Sequence, residues 1–166
     1  MSVSPTKSPK PAVDTNHRAM EIRVAKSEDL PQLLEVLDKL SPFGDIDLAK
    51  SSKSIRSNFN KILNDDDYTL LVAIVDGKVV ATAMLLIQTN LTHGGHPYGH
   101  IENVATLPEY RSQGIGKLLV DQLINISKSK DCYKIVLDCA EENVDFYKKS
   151  GFTRTGEIEM RYNIIS

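Results

Sequence analysis

The chain has 166 residues, of which 41% are hydrophobic and 25% charged, the proportions of a soluble globular protein with one core. Its formal net charge of −2 does not favour nucleic-acid binding, which requires a basic face. No apolar run has the length of a membrane span, and the amino terminus lacks the apolar block of a secretion signal. We therefore expect a cytoplasmic protein.

Residues 1–19 differ in composition from the rest of the chain. They are rich in Ser, Pro and Lys and contain almost no aliphatic side chains, so this segment cannot bury enough surface to order itself. The sequence predicts a disordered tail over 1–19 and a single folded domain over 20–166.

The first half of the domain predicts one strand, two helices and a hairpin. Alternation over Met20–Ala25 predicts a strand, and Ser27 is the expected N-cap of a helix with a leucine stripe (Leu30, Leu33, Leu34, Leu37 and Leu40). A second helix is predicted around Ile55–Leu63. Two β-rich runs, 68–75 and 78–88, flank Asp76-Gly77, a pair that strongly indicates a hairpin turn.

The second half alternates strands with helices. Strands are predicted at His100–Ala105, Tyr133–Asp138 and Phe152–Asn163, with one helix from Gly114 and a shorter one over Glu141–Ser150 that Gly151 ends. The order β-α-α-β-β-β-α-β-α-β predicts an α/β (α+β) domain, a mixed sheet covered by helices and not a doubly wound nucleotide-binding repeat.

The two cysteines, Cys132 and Cys139, lie at the ends of one predicted strand. An extended chain would separate them by roughly 23 Å, which is beyond disulfide reach. We expect both to be small buried apolar residues.

The segment Arg111-Ser-Gln-Gly-Ile-Gly116 precedes an apolar helical run. It is not a Walker A loop, which would need a glycine at 111 and a hydroxyl residue at 118, nor a dinucleotide fingerprint, which would need a small residue at 119. Glycines allow close backbone approach, and the free N–H groups of a first helical turn can bind a pyrophosphate. A glycine-containing helix start without a ligand is the alternative.

The order of these motifs resembles the GNAT N-acetyltransferase superfamily over residues 20–163. A strand, the basic-x-x-Gly-x-Gly loop, a helix and a further strand are followed by Asn143-Val-Asp-Phe-Tyr147 and Gly151-Phe152. The resemblance implies a single domain with a mixed, mostly antiparallel sheet flanked by helices. It also implies that the loop holds the pyrophosphate of acetyl-CoA, used as a co-substrate.

Two stretches look more closely like the glucosamine-6-phosphate N-acetyltransferase family: Gly99-His-Ile-Glu-Asn-Val104 and Cys132-Tyr-Lys-Ile-Val-Leu-Asp-Cys139. The resemblance implies acetylation of glucosamine 6-phosphate on the route to UDP-N-acetylglucosamine. It further implies a homodimer in which the last strand helps to build the partner's sugar site.

Three positions depart from the family pattern near the expected sugar phosphate. Asn103 replaces an aspartate, Asn90 replaces a basic residue ahead of His93, and the final arginine corresponds to Arg161, or to Asn163 without a gap. These changes leave two alternatives open: a GNAT enzyme for another small amine, and a non-catalytic acyl-CoA-binding domain.

By resemblance, Asp138 orients and helps to deprotonate the amine, Glu102 holds the acceptor or a water, and Tyr147 protonates the departing thiolate. The N–H of Val104 polarises the thioester carbonyl. The other residues expected to bind the cofactor are Arg111, Ser112, Gln113, Gly114, Ile115, Gly116, Lys117 and Asn143. Those expected to bind the acceptor are His93, Glu102, Asn103, Asp138 and Arg161.

Structural explanations compete with some of these roles. Asp138 is also a typical turn or cap residue, and Tyr147 is also a typical core residue. Glu102 is harder to explain structurally, because a carboxylate seldom lies in an apolar strand without a partner. His93, His96 and His100 lack accompanying cysteines or a fixed carboxylate, so we expect no metal site.

Overall fold

A five-stranded sheet with neighbours in the order β1-β2-β3-β4-β5 forms the centre of the chain. The structure, a computed structural model, describes residues 19–164, so the tail predicted over 1–19 lies outside them except for Ala19. The first four strands pair antiparallel in succession, and β5 pairs parallel to β4. The mixed, mostly antiparallel sheet is thereby confirmed. The strands are β1 Met20–Val24, β2 Tyr68–Val75, β3 Lys78–Gln88, β4 Tyr98–Thr106 and β5 Ile135–Val136.

Helices cover both faces of this sheet. One face packs on α4, whose Leu119, Val120 and Leu123 are fully buried, and the other packs on α1 and α3 through Leu33 and Phe59. This arrangement leaves the ends of β4 and β5 between the two layers of helices. The helices are α1 Leu30–Leu37, α2 Ile46–Ser51, α3 Lys53–Leu63, α4 Ile115–Ser129 and α5 Val144–Lys148. None in residues 19–164 is long and apolar enough to cross a membrane.

The predicted hairpin at Asp76-Gly77 is confirmed. Both residues have positive φ angles, 51° and 78°, as a two-residue type I′ turn requires. Val75 and Lys78 pair directly across the turn. The side-chain register of β2 and β3 is therefore fixed from this end.

The start of α1 differs from the prediction, because Ser27 does not cap it. Ser27–Asp29 forms a 3₁₀ turn, and the Asp29 carboxylate accepts hydrogen bonds from the Lys26 N–H at 2.7 Å and from the Arg23 guanidinium at 2.6 and 2.9 Å. A charged carboxylate with three donors outcompetes a serine hydroxyl. The Arg23–Asp29 ion pair also connects β1 to the start of α1. Helix α2 was not predicted; Asp45 caps it.

The final strand predicted over Phe152–Asn163 is not formed within the chain. This segment has no strand, and the large apolar side chains at alternate positions are almost fully exposed: Ile158 86%, Met160 92%, Tyr162 89% and Ile164 90%. The apolar residues do alternate with polar ones, but no strand of the same chain pairs with this segment in the described residues. A strand requires a hydrogen-bonding neighbour, which periodicity alone does not supply.

Strand β5 is also shorter than the predicted Tyr133–Asp138, since only Ile135 and Val136 pair with β4. Cys132 is half-buried against the α4 core, as expected. Cys139 is exposed, so the prediction of burial is wrong for this residue. Cys139 lies beyond the end of the paired strand and therefore has no sheet neighbour to cover it.

Candidate active site

A β-bulge interrupts β4 in the middle of the sheet. Met84 of β3 pairs with Glu102 and Thr82 pairs with Ala105, so Asn103 and Val104 together oppose one residue of β3. Asn103 has a φ of 55°, which absorbs the extra residue. Val104 packs toward the α4 core, whereas Asn103 lines the groove beside α1 and α3. The bulge thus changes the direction of the backbone at Asn103 and Val104, where the thioester of the co-substrate is expected to bind.

The two parallel strands separate immediately beside this bulge. Their pairing consists of Gly99 with Ile135 and His100 with Val136, and it stops there. Continuing the same register would place Glu102 opposite Asp138. Both of these carboxylate residues are exposed, and they lie at the open end of the β4–β5 pair. Two of the predicted catalytic residues therefore follow the last paired positions of neighbouring strands, one on β4 and one just after β5.

Tyr147 lies half-buried on α5 between two other rings. Its ring centroid is 4.9 Å from that of Phe146 and 6.0 Å from that of Phe152. Burial raises the pKa of the Tyr147 phenol, and electrostatic interactions with Cys139 and Glu102 raise it further. The hydroxyl consequently stays protonated at neutral pH.

The loop before α4 presents an unobstructed helix amino terminus. Gly114 is the N-cap with a φ of 81°, and no heavy atom of the described residues other than those of Gly114 and its chain neighbours lies within 4 Å of the position that a Cβ would occupy there. Ser112 also has a positive φ, 61°. Arg111 donates to Thr106 O at 3.0 Å and Gln113 donates to Glu109 O at 3.1 Å. These bonds brace the loop while the first-turn N–H groups lack helical acceptors.

The remaining loop residues have different surroundings from those that the motif alone suggested. Ile115 is 4% exposed and packs in the core, so only its backbone is available to a ligand. Lys117 Nζ pairs with Asp121 Oδ2 at 2.5 Å. Gly116 makes room for the ring of Phe146, which is a packing reason for this glycine. Asn143 is exposed and directly precedes α5.

Two predicted acceptor-binding residues, His93 and Arg161, contact groups other than the carboxylates of Glu102 and Asp138. His93 stacks on Tyr133 with ring centroids 4.1 Å apart, and Thr92 Oγ1 lies 2.9 Å from its Nδ1. Arg161 pairs with Glu159 on the exposed final segment. Within residues 19–164, neither His93 nor Arg161 forms a hydrogen bond or ion pair with Glu102, Asn103 or Asp138.

One contact in the site was not anticipated from the sequence. His100 Nε2 lies 3.3 Å from Glu102 Oε1. The two residues are separated by one position on a strand and so project from the same face. The His-x-Glu spacing on a predicted strand could have indicated this contact. From the sequence, His100 is considered only together with His93 and His96, as a candidate metal ligand. No group of three or more His, Cys, Asp or Glu side chains in the described part of the chain could hold a metal ion.

The sequence model of the acetyltransferase (GNAT) family matches residues 32–152 of this chain. This chain belongs to the GNAT acetyltransferase family. GNAT acetyltransferases use acetyl-CoA. The resemblance inferred from the motifs is confirmed.

Named relatives and solved structures agree with this assignment. The chain is 37% identical over 150 residues to a glucosamine 6-phosphate N-acetyltransferase of Trypanosoma brucei brucei, covering 87% of this chain and 96% of that protein. A crystal structure of glucosamine-6-phosphate N-acetyltransferase from Arabidopsis thaliana superposes with a TM-score of 0.80 at 28% identity, covering 89% and 99% of the two chains. An acetyltransferase from Clostridium acetobutylicum, solved with acetyl-CoA, gives a TM-score of 0.70 at 27% identity, with 87% and 96% covered.

Proposed function

We propose that this protein transfers the acetyl group of acetyl-CoA to the amine of D-glucosamine 6-phosphate, forming N-acetyl-D-glucosamine 6-phosphate. The observation that carries the proposal is the 37% identity to a relative of that name across 96% of its length. The exposed carboxylates at the β4–β5 separation and the protonated phenol of Tyr147 fit the chemistry. Both substrates are intracellular metabolites, so the expected cytoplasmic location is part of the proposal.

The amino terminus of α4 is the proposed site for the pyrophosphate of acetyl-CoA. The backbone N–H groups of residues 115–117 lack helical acceptors, the helix dipole favours an anion there, and the space beside Gly114 is open. Arg111, Ser112 and Gln113 shape the approach, Lys117 lies in the first turn with its charge paired to Asp121, and Asn143 directly precedes α5. Bound acetyl-CoA supplies the activated acetyl thioester.

The chain's own residues then supply positioning and proton transfer. The amine must be neutral to attack; Asp138 accepts its proton directly or through a water, and Glu102 holds the acceptor or that water. The Val104 N–H, on the far side of the bulge, polarises the carbonyl as an oxyanion donor. As the C–N bond forms and the C–S bond breaks, Tyr147 donates its proton to the sulfur. No protein nucleophile is required, since both substrates are held together.

The acceptor phosphate needs positive charge that Asn90, Asn103 and Asn163 do not supply. His93 lies shortly before β4 and stacks on Tyr133, and Arg161 lies on a segment that forms no strand in residues 19–164. We propose a homodimer in which residues 152–163 pair with the second copy and bring Arg161 to its site. The exposed alternate positions 158, 160, 162 and 164 support this, because isolated chains seldom leave such an apolar stripe in water.

The test is an assay of free thiol release from acetyl-CoA with a set of acceptors. Glucosamine 6-phosphate, glucosamine, a polyamine and an aminoglycoside are supplied in parallel at equal concentration. The proposal predicts turnover that depends on the phosphorylated sugar. Faster turnover with an unphosphorylated amine would instead support the alternative that the three asparagines raise, a GNAT enzyme for another small amine.

A further inference from the structure

The contact between His100 and Glu102 joins a residue paired on both sides of its strand to one that is paired on one side only. His100 is the last residue of β4 that pairs on both sides, with Leu86 of β3 and Val136 of β5. Glu102 retains its pairing with Met84 of β3 but has lost the β5 neighbour, and the bulge follows it directly. The backbone of His100 is therefore held by two strands, whereas Glu102 has a free side.

The imidazole is also the one polar partner of this carboxylate within residues 19–164. His100 Nε2 lies 3.3 Å from Glu102 Oε1, with 28% and 49% of the two side chains exposed. No other described side chain forms a hydrogen bond or ion pair with Glu102. The strand neighbours on that face, Met84 and Leu86, are apolar and half-buried. A glutamate with three rotatable bonds and no other partner would sample several rotamers.

We infer that His100 is a positioning residue: its Nε2 lies at ion-pair distance from one oxygen of Glu102 and, by closing to a hydrogen bond when the substrates bind, leaves the other oxygen facing the acceptor amine. This inference rests on the proposed function, because it assigns a support to a residue in that site. Contacts of this kind are often long before substrate binds and shorten in the substrate complex, which suits a separation of 3.3 Å. Restricting the carboxylate to one orientation raises the fraction of bound acceptor that is ready to lose its proton.

The test compares two substitutions at position 100 in two backgrounds. Glutamine places its amide nitrogen near the position of Nε2 and retains the donor, while leucine keeps the volume and removes it. We expect His100→Leu to lower kcat about tenfold, with the KM for acetyl-CoA changed less than twofold, and His100→Gln to restore most of the rate. In a Glu102→Gln background, His100→Leu should cause no further loss.

Equal losses of kcat in His100→Leu and His100→Gln would overturn the inference and indicate a packing role. So would a loss from His100→Leu in the Glu102→Gln background as large as in the wild-type background. Thermal unfolding is followed for each variant, and His100→Asn, whose amide is too short to reach Glu102, replaces leucine if that variant does not fold. If the wild-type protein acetylates a different amine, the same cycle is run with that amine, so the two proposals fail separately. Absence of turnover with every acceptor would overturn both.

Discussion

Gly116 and Phe146 are in direct contact across the interface of α4 and α5. A Cβ at position 116 would lie 3.2 Å from Phe146 Cζ and 3.5 Å from Thr106 Oγ1. The helix whose first turn is proposed to bind the pyrophosphate therefore packs, through this glycine, on the helix that carries Tyr147. Displacement of either helix moves the proposed proton donor relative to the cofactor site.

Substitution of Gly116 by Ala is expected to impair catalysis more than folding. The added methyl must push Phe146 aside by a few tenths of an ångström, and α5 moves with it. We expect kcat to fall about three- to tenfold, because sub-ångström displacement of a reacting group is costly. The free energy of unfolding should change by less than about 1 kcal/mol, since alanine gains helix propensity. The double variant Gly116→Ala, Phe146→Leu should recover part of the lost kcat, because the smaller side chain accommodates the added methyl. An unchanged kcat in Gly116→Ala alone would contradict the prediction.

Removal of the Tyr147 hydroxyl is expected to slow the chemical step. Tyr147→Phe should lower kcat about 10- to 100-fold with little change in the KM for acetyl-CoA, because a general acid acts in the transition state. Tyr68→Phe, at the start of β2, is the matched control and should have no effect. Equal kcat values for wild type and Tyr147→Phe would remove Tyr147 from the mechanism.

The pH dependence of kcat provides a separate check on Tyr147. Burial raises its pKa, and electrostatic interactions with Cys139 and Glu102 add to this, so the donor form persists to a higher pH than for a free tyrosine, whose pKa is about 10. Loss of activity through this group should therefore begin only above that value. A decline that begins near neutral pH and is absent in Tyr147→Phe would contradict the assignment.

The Arg23–Asp29 pair should make stability depend on acid pH. Hydrogen bonds from Arg23, opposed by burial and aided by the Lys26 N–H, hold the pKa of Asp29 below its ordinary value. A lowered pKa stabilises the fold above the unfolded value of about 3.9, and this contribution is lost as the pH falls through the folded pKa. Asp29→Asn should cost about 2–4 kcal/mol at pH 7, and the difference from wild type should shrink below about pH 4.

Chemical denaturation of both proteins between pH 3 and pH 7 measures this effect. Asp145→Asn is the control, because the Asp145–Lys148 pair is exposed, and it should leave stability unchanged. A difference between wild type and Asp29→Asn that is constant over this pH range would contradict the linkage.

The exposed apolar stripe on the final segment predicts a dimer that charge can disrupt. Met160→Asp should convert a dimer to a monomer in light scattering and lower the rate with glucosamine 6-phosphate. Glu157→Gln, on the alternate side of the segment, should leave the mass unchanged. A wild-type protein that is monomeric at micromolar concentration would contradict the proposed strand exchange.

The features that the sequence predicted correctly depend on local chemistry. Asp76-Gly77 specifies its turn because both residues tolerate positive φ, and Gly114 begins α4 for the same reason. The features that were missed depend on distant partners. The bulge at Asn103 exists only relative to β3, and the role of Gly116 depends on Phe146, thirty positions later in the chain.

The predicted site shows the same division. Glu102, Asp138 and Tyr147 were identified from motifs, and the separation of β4 from β5 explains why two of them share one edge. His100 was missed because its importance lies in a contact and not in a motif. The strand over 152–163 was misplaced because periodicity indicates an extended segment but not the strand that would pair with it.

The most direct test follows the acetyl carbon itself. The protein is incubated with acetyl-CoA labelled with ¹³C in the acetyl group and with glucosamine 6-phosphate or glucosamine, and the products are identified by NMR. The account predicts an amide carbonyl on the C2 nitrogen of the phosphorylated sugar, formed much faster than with glucosamine. Label that appears as an ester, or transfer that is equally fast to glucosamine, would contradict the central claim.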